Sequence, residues 1–277
     1  MPLIAHDLAL ALAWVTTIMT VAGMGYMAAA MIAAQRYLWS RPRRGAAGFA
    51  PGVSVMKSLK GVDPEMMEAF RSHCRQQYAG EFELLFGVSS LEDPAAAAVE
   101  ELGREFPAVA IRLIECPEQL GANGKVSTLA QMAVHARYDY LLINDSDITV
   151  SARYLERVMA RFASAREPSG AKAPTEFAAA DVRAEARTLP LKPVGMVTAR
   201  FAPGPGKPVG LVTALYRGRA HGTLAARLEA LGIATDFMPG VLVSRMIEGG
   251  LRFGLGSTLA VSREALEKSG GLLPLVD

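Results

Sequence analysis

The segment from Leu8 to Gln35 contains no charged side chain along its 28 residues. A helix needs about 20 consecutive apolar residues to cross the hydrocarbon core of a bilayer. The polar residues inside the segment are Gln35 at its end and the threonines Thr16, Thr17 and Thr20, whose hydroxyls can bond the backbone of their own helix. We therefore predict one amino-terminal transmembrane helix, with residues 1–36 forming a membrane anchor.

Two other interpretations of this segment are a buried core helix and a cleaved signal peptide. Core helices are usually shorter, and a signal peptide carries basic residues ahead of a shorter apolar run. The only ionisable side chains ahead of this run are those of His6 and Asp7, and neither is a lysine or an arginine. The residues after it include four arginines: Arg36, Arg41, Arg43 and Arg44. Basic residues stay on the cytoplasmic side, so we predict an inner-membrane protein whose amino terminus lies outside and whose remaining chain lies in the cytoplasm.

Apolar and charged segments alternate after residues 37–52, a linker rich in Pro, Gly and Arg. Four short apolar runs are predicted as strands: Val53–Leu59, Phe82–Val88, Ala110–Ile114 and Tyr140–Ile143. Three helices are predicted between them: Pro64–Tyr78 capped by Asp63, Pro94–Phe106 capped by Asp93, and Lys125–Ala136. This order predicts an α/β fold with a mostly parallel sheet and flanking helices, in which ligands bind beyond the carboxyl ends of the strands.

Residues 163–193 are rich in Ala, Pro and charge, and we interpret them as a surface insertion. An eight-residue repeat follows, KPVGMVTA at Lys192–Ala199 and KPVGLVTA at Lys207–Ala214. Two copies are too few for a solenoid, so the repeat predicts two neighbouring strands. A helix at Ala225–Leu231, a glycine-rich turn, and a last strand and helix complete a predicted domain at residues 53–277.

Charge and missing motifs exclude several classes of protein. The chain has 29 basic and 27 acidic side chains, a net charge of +2, which gives no electrostatic case for nucleic acid as a partner. Its two cysteines, Cys74 and Cys116, are too few for a disulfide framework, and their spacing does not suggest zinc. The sequence has no Walker A loop and no dinucleotide fingerprint after its first strand, which disfavours ATPases and dinucleotide enzymes. It also has no GxSxG and no HExxH motif.

The acidic motif Asp145-Ser146-Asp147 directly follows an apolar strand. Two carboxylates two residues apart can turn toward one cation, and oxygen ligands of this kind suit Mg²⁺ or Mn²⁺, which in turn holds a diphosphate. The alternative is a helix cap ahead of a helix at Ser151–Phe162. The position at a strand end favours the cation site.

Asn123 and Lys125 lie in a glycine turn ahead of a helix. Backbone amides, the helix dipole and a lysine together favour an anion, and the alternative is a capped helix with a solvated lysine. Among the histidines, His73 and His135 fall in helical patterns and His221 in a glycine-flanked loop. Only His221 is a candidate for substitution on these grounds.

Seven segments spread over residues 50–277 carry the motifs of one known family. They are VSVMKSLKGVDPEM (Val53–Met66), FELLFGV with EDPA (Phe82–Ala95), LGANGKVSTL (Leu120–Leu129), LLINDSDITV (Leu141–Val150), GLVTALYRG (Gly210–Gly218), TDFMPGVLV (Thr235–Val243) and GSTLAVSREALEKSGGL (Gly256–Leu272). In this order and spacing they resemble the ceramide glucosyltransferases, most nearly their bacterial relatives associated with hopanoid synthesis. The resemblance implies a GT-A glycosyltransferase fold, a UDP-sugar donor, a divalent cation, a membrane lipid acceptor and inversion at the anomeric carbon.

The resemblance also implies roles for individual residues. Asp145 and Asp147 match the motif that binds metal and diphosphate. Asp93, beside Glu92, matches the acidic motif that receives the nucleotide, although Ser90 stands where the family has a further acid. Asn123 and Lys125 match the family's glycine, asparagine and lysine turn and are expected to contact the donor.

The general base implied by the resemblance is expected beyond Asp277, and the sequence contains no RxxRW motif. We therefore expect a fragment or truncated member of the family, and the alternative is a homologue that binds UDP-sugar without efficient transfer. A processive polysaccharide synthase would require a QxxRW motif and several spans, which the sequence lacks. The sugar (glucose or N-acetylglucosamine) and the acceptor (ceramide or hopanoid) stay open.

Overall fold

A computed structural model describes residues 2–39, 48–63, 65–163, 196–199, 209–220, 222–251 and 253–277. Contacts divide the chain into two compact units. The helical unit comprises Met1–Pro42 and Arg217–Leu251, and the sheet unit comprises Arg43–Tyr216 and Arg252–Asp277. The chain therefore leaves the sheet unit after Tyr216 and returns to it at Arg252.

Helices and strands alternate through the first half of the chain. The α-helices are α1 Pro2–Trp39, α2 Met66–Cys74, α3 Pro94–Glu105, α4 Gly124–Ala133, α5 Tyr154–Ala163, α6 Leu224–Gly232, α7 Met238–Ile247 and α8 Arg263–Lys268. The strands are β1 Val53–Ser58, β2 Phe82–Val88, β3 Ala110–Glu115, β4 Tyr140–Asn144, β5 Met196–Ala199, β6 Leu211–Ala214 and β7 Thr258–Ser262. A π-helical turn, Ile233–Phe237, joins α6 to α7, and a 3₁₀ turn, Leu273–Leu275, follows α8.

The strands form one sheet in the order β3-β2-β1-β4-β7-β6-β5. The first four are parallel neighbours, whereas β7 runs antiparallel to both β4 and β6, and β5 runs antiparallel to β6. The prediction of a mostly parallel sheet with flanking helices is confirmed. The four predicted amino-terminal strands are all present, with ends that differ from the prediction by at most one residue.

The central strands are buried because helices cover both faces of the sheet, as an unbroken apolar sequence predicts. The first five residues of β1 and the last six of β2 are buried. Phe70 of α2 packs its ring on Phe86 of β2, with centroids 4.6 Å apart, and α5 buries Leu155 and Val158 in the same core. This rigid centre fixes the loops at the strand ends.

The beginning of α2 corrects one prediction. The sequence predicts a helix from Pro64 with Asp63 as its cap, but the helix begins at Met66, and Pro64 lies outside the described residues. The Asp63 carbonyl accepts a hydrogen bond from the Met66 amide at 3.2 Å, while its carboxylate accepts one from the Ser146 hydroxyl at 3.1 Å. A tertiary contact with the acidic loop therefore takes the place of the predicted cap.

The last four residues of each copy of the repeat, Met196–Ala199 and Leu211–Ala214, form two paired strands, as predicted. Met196 lies opposite Ala214 and Ala199 opposite Leu211 in an antiparallel register. The predicted insertion at 163–193 lies outside the described residues apart from Ala163, the last residue of α5. In the predicted linker, residues 40–47 lie outside the described part, and Phe49 packs against the core of the sheet unit.

The helical unit contains two long apolar helices. The helix α1 spans 38 residues, and the hydroxyls of Thr16, Thr17 and Thr20 donate to carbonyls of their own helix at 2.7 to 3.0 Å. Two stretches are long and apolar enough to cross a membrane, His6–Trp39 and Leu224–Ile247. The sequence predicted the first as a span but only a short helix, Ala225–Leu231, within the second.

Candidate functional site

The ends of four strands meet at one edge of the sheet. The carboxyl ends of β1, β2 and β4 lie there because these strands are parallel, and β7 begins there because it is antiparallel, with Thr258 opposite Asn144. The loops that follow the parallel strands carry Asp63, Asp93 and Asp145. The predicted position of the site, beyond the carboxyl ends of the strands, is therefore where these acidic residues lie.

The acidic loop Asp145-Ser146-Asp147 directly follows β4. The Asp145 side chain is 37% exposed, and Asp147 is exposed. The Lys125 ammonium forms an ion pair with an Asp145 carboxylate oxygen, and the Ser146 hydroxyl donates to Asp63. The loop is thus held on two sides while its carboxylates stay accessible.

Lys57, near the end of β1, is a residue that the sequence analysis missed. Its side chain is fully buried, and its ammonium donates to the Asp145 carbonyl oxygen at 2.6 Å. Burial lowers the pKa of Lys57 from 10.5 to about 7, while the Asp145 and Asp147 carboxylates act in the opposite direction. The available signal was a lysine on the same strand face as the core residues Val53 and Val55.

Asp93 links two loops of the site. Its carboxylate accepts hydrogen bonds from the Gly61 amide at 3.0 and 3.1 Å and from the Ala95 amide at 2.9 Å. The hydrogen bond from the Ala95 amide confirms Asp93 as the amino-terminal cap of α3. Gly61 has a φ of +68°, which favours glycine, so the loop after β1 is shaped to place its amide on this carboxylate.

Asn123 and Lys125 lie where α4 begins and have different contacts. The Asn123 side chain accepts from the Val126 amide at 3.2 Å, the capping interaction of the alternative interpretation. Lys125 is not simply solvated, because it pairs with Asp145. The structure therefore brings Lys125 to the acidic loop and gives Asn123 a structural contact.

The end of the chain lies against the turn that precedes α4. The Asn123 amide donates to the Val276 carbonyl at 2.7 Å. A Cβ on Gly121 would come within 2.5 Å of that carbonyl oxygen and 2.7 Å of an Asp277 carboxylate oxygen, so only glycine fits this close approach. The last residues of the sequence are thus neighbours of the Lys125 turn.

A buried polar network anchors the residue ahead of Asp145. The Asn144 amide nitrogen lies 3.0 Å from the Tyr154 hydroxyl, the Ser257 carbonyl and the Thr258 hydroxyl. Burial raises the pKa of Tyr154 to about 12, so the phenol stays neutral. Asn144, Tyr154 and Thr258 pair their buried side chains with one another, and this pairing fixes the start of the acidic loop. The neighbouring Ser257 hydroxyl is buried without a hydrogen-bond partner.

His73 belongs to the same network. Its ring nitrogens lie 2.9 Å from the Ala69 carbonyl and 3.4 Å from the Asn144 side-chain oxygen. Burial, aided by the charge of Lys57, lowers the pKa of His73 to about 3, so the ring is neutral at physiological pH. His73 is therefore a core residue, His135 is exposed after α4, and His221 lies outside the described residues.

The carboxylates of Asp145 and Asp147 fit a hard cation. Within the described ranges no three His, Cys, Asp or Glu side chains come together as a complete metal site. Two aspartates on an accessible loop could supply part of the oxygen set of a cation, with water or a bound phosphate supplying the remaining ligands, as is usual for Mg²⁺. The donor atoms are compatible with Mg²⁺ or Mn²⁺ and unsuited to softer metals.

Comparison with known proteins finds one matching family. The sequence profile of glycosyl transferase family 21 matches residues 15–178 and 196–277. Ceramide glucosyltransferase of Komagataella phaffii is 34% identical over 110 residues, which cover 38% of this chain and 21% of that protein. Ceramide glucosyltransferase 1 of Caenorhabditis elegans is 37% identical over 98 residues, which cover 35% of this chain and 21% of that protein. The match therefore spans about a fifth of the length of these relatives.

Comparison with solved structures finds a mannosyltransferase that shares the fold over most of the chain. It is the mannosyltransferase PcManGT from Pyrobaculum calidifontis, determined in complex with GDP-Man and Mn²⁺. The superposition has a TM-score of 0.51 with 19% identity and covers 89% of this chain and 56% of the other. The likeness confirms the predicted GT-A-like architecture.

Proposed function

The chain belongs to glycosyl transferase family 21, and from that membership we propose that it transfers a hexose from a nucleotide sugar to a membrane lipid. The observation that carries the proposal is the accessible acidic pair Asp145 and Asp147, flanked by two lysines at the carboxyl edge of the sheet. The ceramide glucosyltransferase relatives support a lipid acceptor. We propose UDP-glucose or UDP-N-acetylglucosamine as donor and ceramide or a hopanoid as acceptor.

Asp145 and Asp147 are proposed to hold Mg²⁺ or Mn²⁺ together with the donor diphosphate. When bound, the cation offsets the charge that develops on the departing nucleoside diphosphate. The solved mannosyltransferase of the same fold binds a nucleotide sugar with Mn²⁺, which supports this assignment. The Ser146 contact with Asp63 holds the loop in place for that task.

Two lysines supply positive charge beside the carboxylates. Lys125 lies in the first turn of α4, where backbone amides and the helix dipole also favour phosphate oxygens. The buried Lys57 ammonium positions the acidic loop from the core side through its hydrogen bond to the Asp145 carbonyl. We propose that Lys125 contacts the diphosphate and that Lys57 orients the acidic loop.

Asp93 and Asn123 are proposed to shape the donor pocket. Asp93 holds the loop after β1 through the Gly61 amide. Asn123 caps α4 and so orients the amides at the start of that helix. Both residues lie at the edge where the nucleotide is proposed to bind, and both act through the backbone.

The acceptor proton requires a base, and the transfer is proposed to invert the anomeric carbon. We assign this role to none of the described residues. Val276 is bonded to the turn that precedes Lys125, so Val276 and Asp277 lie beside the proposed phosphate site. A general base that is hydrogen-bonded to the acceptor hydroxyl typically contributes 10²- to 10⁴-fold in rate.

The helix α1 is proposed to anchor the enzyme in the cytoplasmic membrane with its amino terminus outside. Arg36 in its last turn marks the cytoplasmic end. A lipid acceptor stays in the bilayer, so an anchored enzyme encounters it by lateral diffusion in the same membrane. The sheet unit then lies in the cytoplasm, where nucleotide sugars are made.

Transfer of radiolabelled hexose to a membrane lipid tests this function. Membranes containing the full chain should label a lipid from UDP-glucose or UDP-N-acetylglucosamine, and Asp145→Asn and Asp147→Asn should lower the rate by at least about a hundredfold. Asp139→Asn is the matched control, an exposed aspartate just ahead of the amino end of β4. Donor binding without any lipid labelling would instead identify the alternative, a homologue that binds UDP-sugar without efficient transfer.

A further inference from the structure

The segment Leu224–Ile247 has the length and hydropathy of a membrane span, but its connections to the sheet exclude a single crossing. The chain enters it from β6 and leaves it into β7. These strands are hydrogen-bonded neighbours, with Thr213 opposite Leu259. One sheet cannot have neighbouring strands on opposite sides of a bilayer, so both ends of the segment lie on one side.

The helix α6 presents a stripe of exposed leucines. Leu224, Leu228 and Leu231 are 71%, 58% and 57% exposed and recur at the i, i+4 and i+7 spacing of one helix face. A different face packs on the chain at Gly218, where an added Cβ would come within 2.4 Å of the Ala230 backbone. The leucine stripe is therefore directed away from this packing contact.

Charged residues interrupt the segment at a frequency unsuited to the centre of a bilayer. Arg227, Glu229, Asp236 and Arg245 all lie between Leu224 and Ile247. Ionisable side chains at the bilayer centre are rare and costly. Glu229 lies on the face opposite the leucine stripe, and Arg227 borders the stripe, where a long basic side chain can reach the head groups. An apolar stripe bordered by basic side chains is typical of a helix that lies in the interface plane.

The helix α7 packs against the carboxyl-terminal third of α1. Ala30 and Ala33 of α1 are buried against Val243, and small residues of this kind allow close approach of helices in a membrane. The Arg245 guanidinium lies 5.3 Å from the Tyr37 ring centroid, one residue beyond the cytoplasmic marker Arg36. Aromatic and basic side chains of this type are favoured at the lipid head groups.

We propose that Leu224–Ile247 is an interfacial element that lies in the cytoplasmic leaflet, docked on α1, with its leucine stripe in the acyl boundary. It contacts the membrane without crossing it. The two strand ends that the segment connects, the end of β6 and the start of β7, lie at the same edge of the sheet as Asn144. The proposal does not depend on the transfer activity, since it rests on strand pairing and on packing within the helical unit.

Spin-label depth measurements test the proposal on the full chain in liposomes of neutral and anionic phospholipid. Single cysteines are introduced by Leu224→Cys, Leu231→Cys and Phe237→Cys on exposed apolar positions, with Glu229→Cys as the charged control. The native thiols label slowly because burial raises the pKa of Cys74 to about 12 and that of Cys116 to about 11. All four substituted side chains are exposed, so the fold is retained.

If the element is interfacial, the labels at 224 and 231 collide with oxygen more often than with a water-soluble nickel complex. The two labels also lie at nearly equal depths in the membrane. These positions are about 10 Å apart along the helix, so a crossing helix would separate their depths by about that distance. The label at 229 is expected to be accessible to the nickel complex. A depth that changes steadily from 224 to 237, or water exposure of the leucine positions, would overturn the proposal.

Discussion

The sheet unit and the helical unit treat large apolar side chains in opposite ways. In the sheet unit Phe86, Leu142 and Leu155 are completely buried. In the helical unit most of the large apolar residues of α1 are exposed, Trp14 at 68% and Met24 at 69%. The sheet unit thus excludes water from its core, whereas α1 exposes the apolar surface expected of the proposed membrane anchor. The two units therefore differ in where they place large apolar side chains.

The two units also satisfy polar side chains differently. The sheet unit pairs buried polar groups over long distances in the sequence, as Asn144 does with Thr258. Polar groups of α1 bond within their own helix, as Thr17 does with the Ala13 carbonyl. Local satisfaction is the only arrangement available to a lipid-exposed helix, because lipid supplies no hydrogen-bond partners.

The largest expected effect follows from placing charge in the centre of α1. The double substitution Ile18→Arg and Val21→Arg costs about 6 to 8 kcal/mol of insertion free energy on a biological scale, which removes most of the protein from carbonate-washed membranes. Leu91→Arg with Val134→Arg is the matched control, because these side chains of the sheet unit are also apolar and exposed. Retention of the α1 variant in washed membranes would contradict the proposal that α1, unlike the sheet unit, is inserted in the bilayer.

A smaller effect is expected from the buried lysine of the sheet unit. Lys57→Met removes the bond to the Asp145 carbonyl and should lower hexosyl transfer about a hundredfold, while the fold persists because an apolar side chain of similar length fills the site. Lys60→Met, an exposed lysine in the loop that follows, should leave the rate within about twofold. Equal rates for the two variants would show that Lys57 has no role in orienting the loop.

The smallest expected effect is a loss of folding stability of the sheet unit in acid, caused by the buried His73. His73 has a folded pKa of about 3, below the value near 6.5 in an unfolded chain, so the unfolded state binds the extra proton between these values. Stability therefore falls as pH drops below about 6.5, by about 2 kcal/mol between pH 7 and pH 5. Urea unfolding of the full chain in detergent micelles measures this loss, and His73→Gln should abolish it. An unchanged acid loss in that variant would place its origin elsewhere.

Much of the sheet unit could be predicted because its signals are local. The apolar runs of β1 and β2 and the cap at Asp93 each depend on neighbouring residues. The repeat predicted the pairing of β5 with β6 since similar strand sequences fell close together. The position of Asp145 and Asp147 directly after an apolar strand predicted the acidic loop, and the family resemblance supported its role.

The contacts that complete the site could not be predicted, because they join distant parts of the chain. Lys57 and Asp145 are 88 residues apart, and Asp63 and Ser146 are 83 apart. Asp63 has the local pattern of a helix cap, and only the folded sheet brings it to Ser146. The long helical segment Leu224–Ile247 was also missed, because Asp236 and Pro239 interrupt its apolar pattern.

Calorimetric titration of UDP into the full chain in detergent micelles, with and without Mn²⁺, tests the central claim most directly. The account predicts binding that requires Mn²⁺ and falls at least about tenfold in affinity in both Asp145→Ala and Asp147→Ala, with Asp139→Ala unchanged. Each such loss corresponds to about 1.4 kcal/mol or more of binding free energy. UDP binding of equal strength in the wild type and in both variants would contradict the assignment of the acidic pair as the donor site.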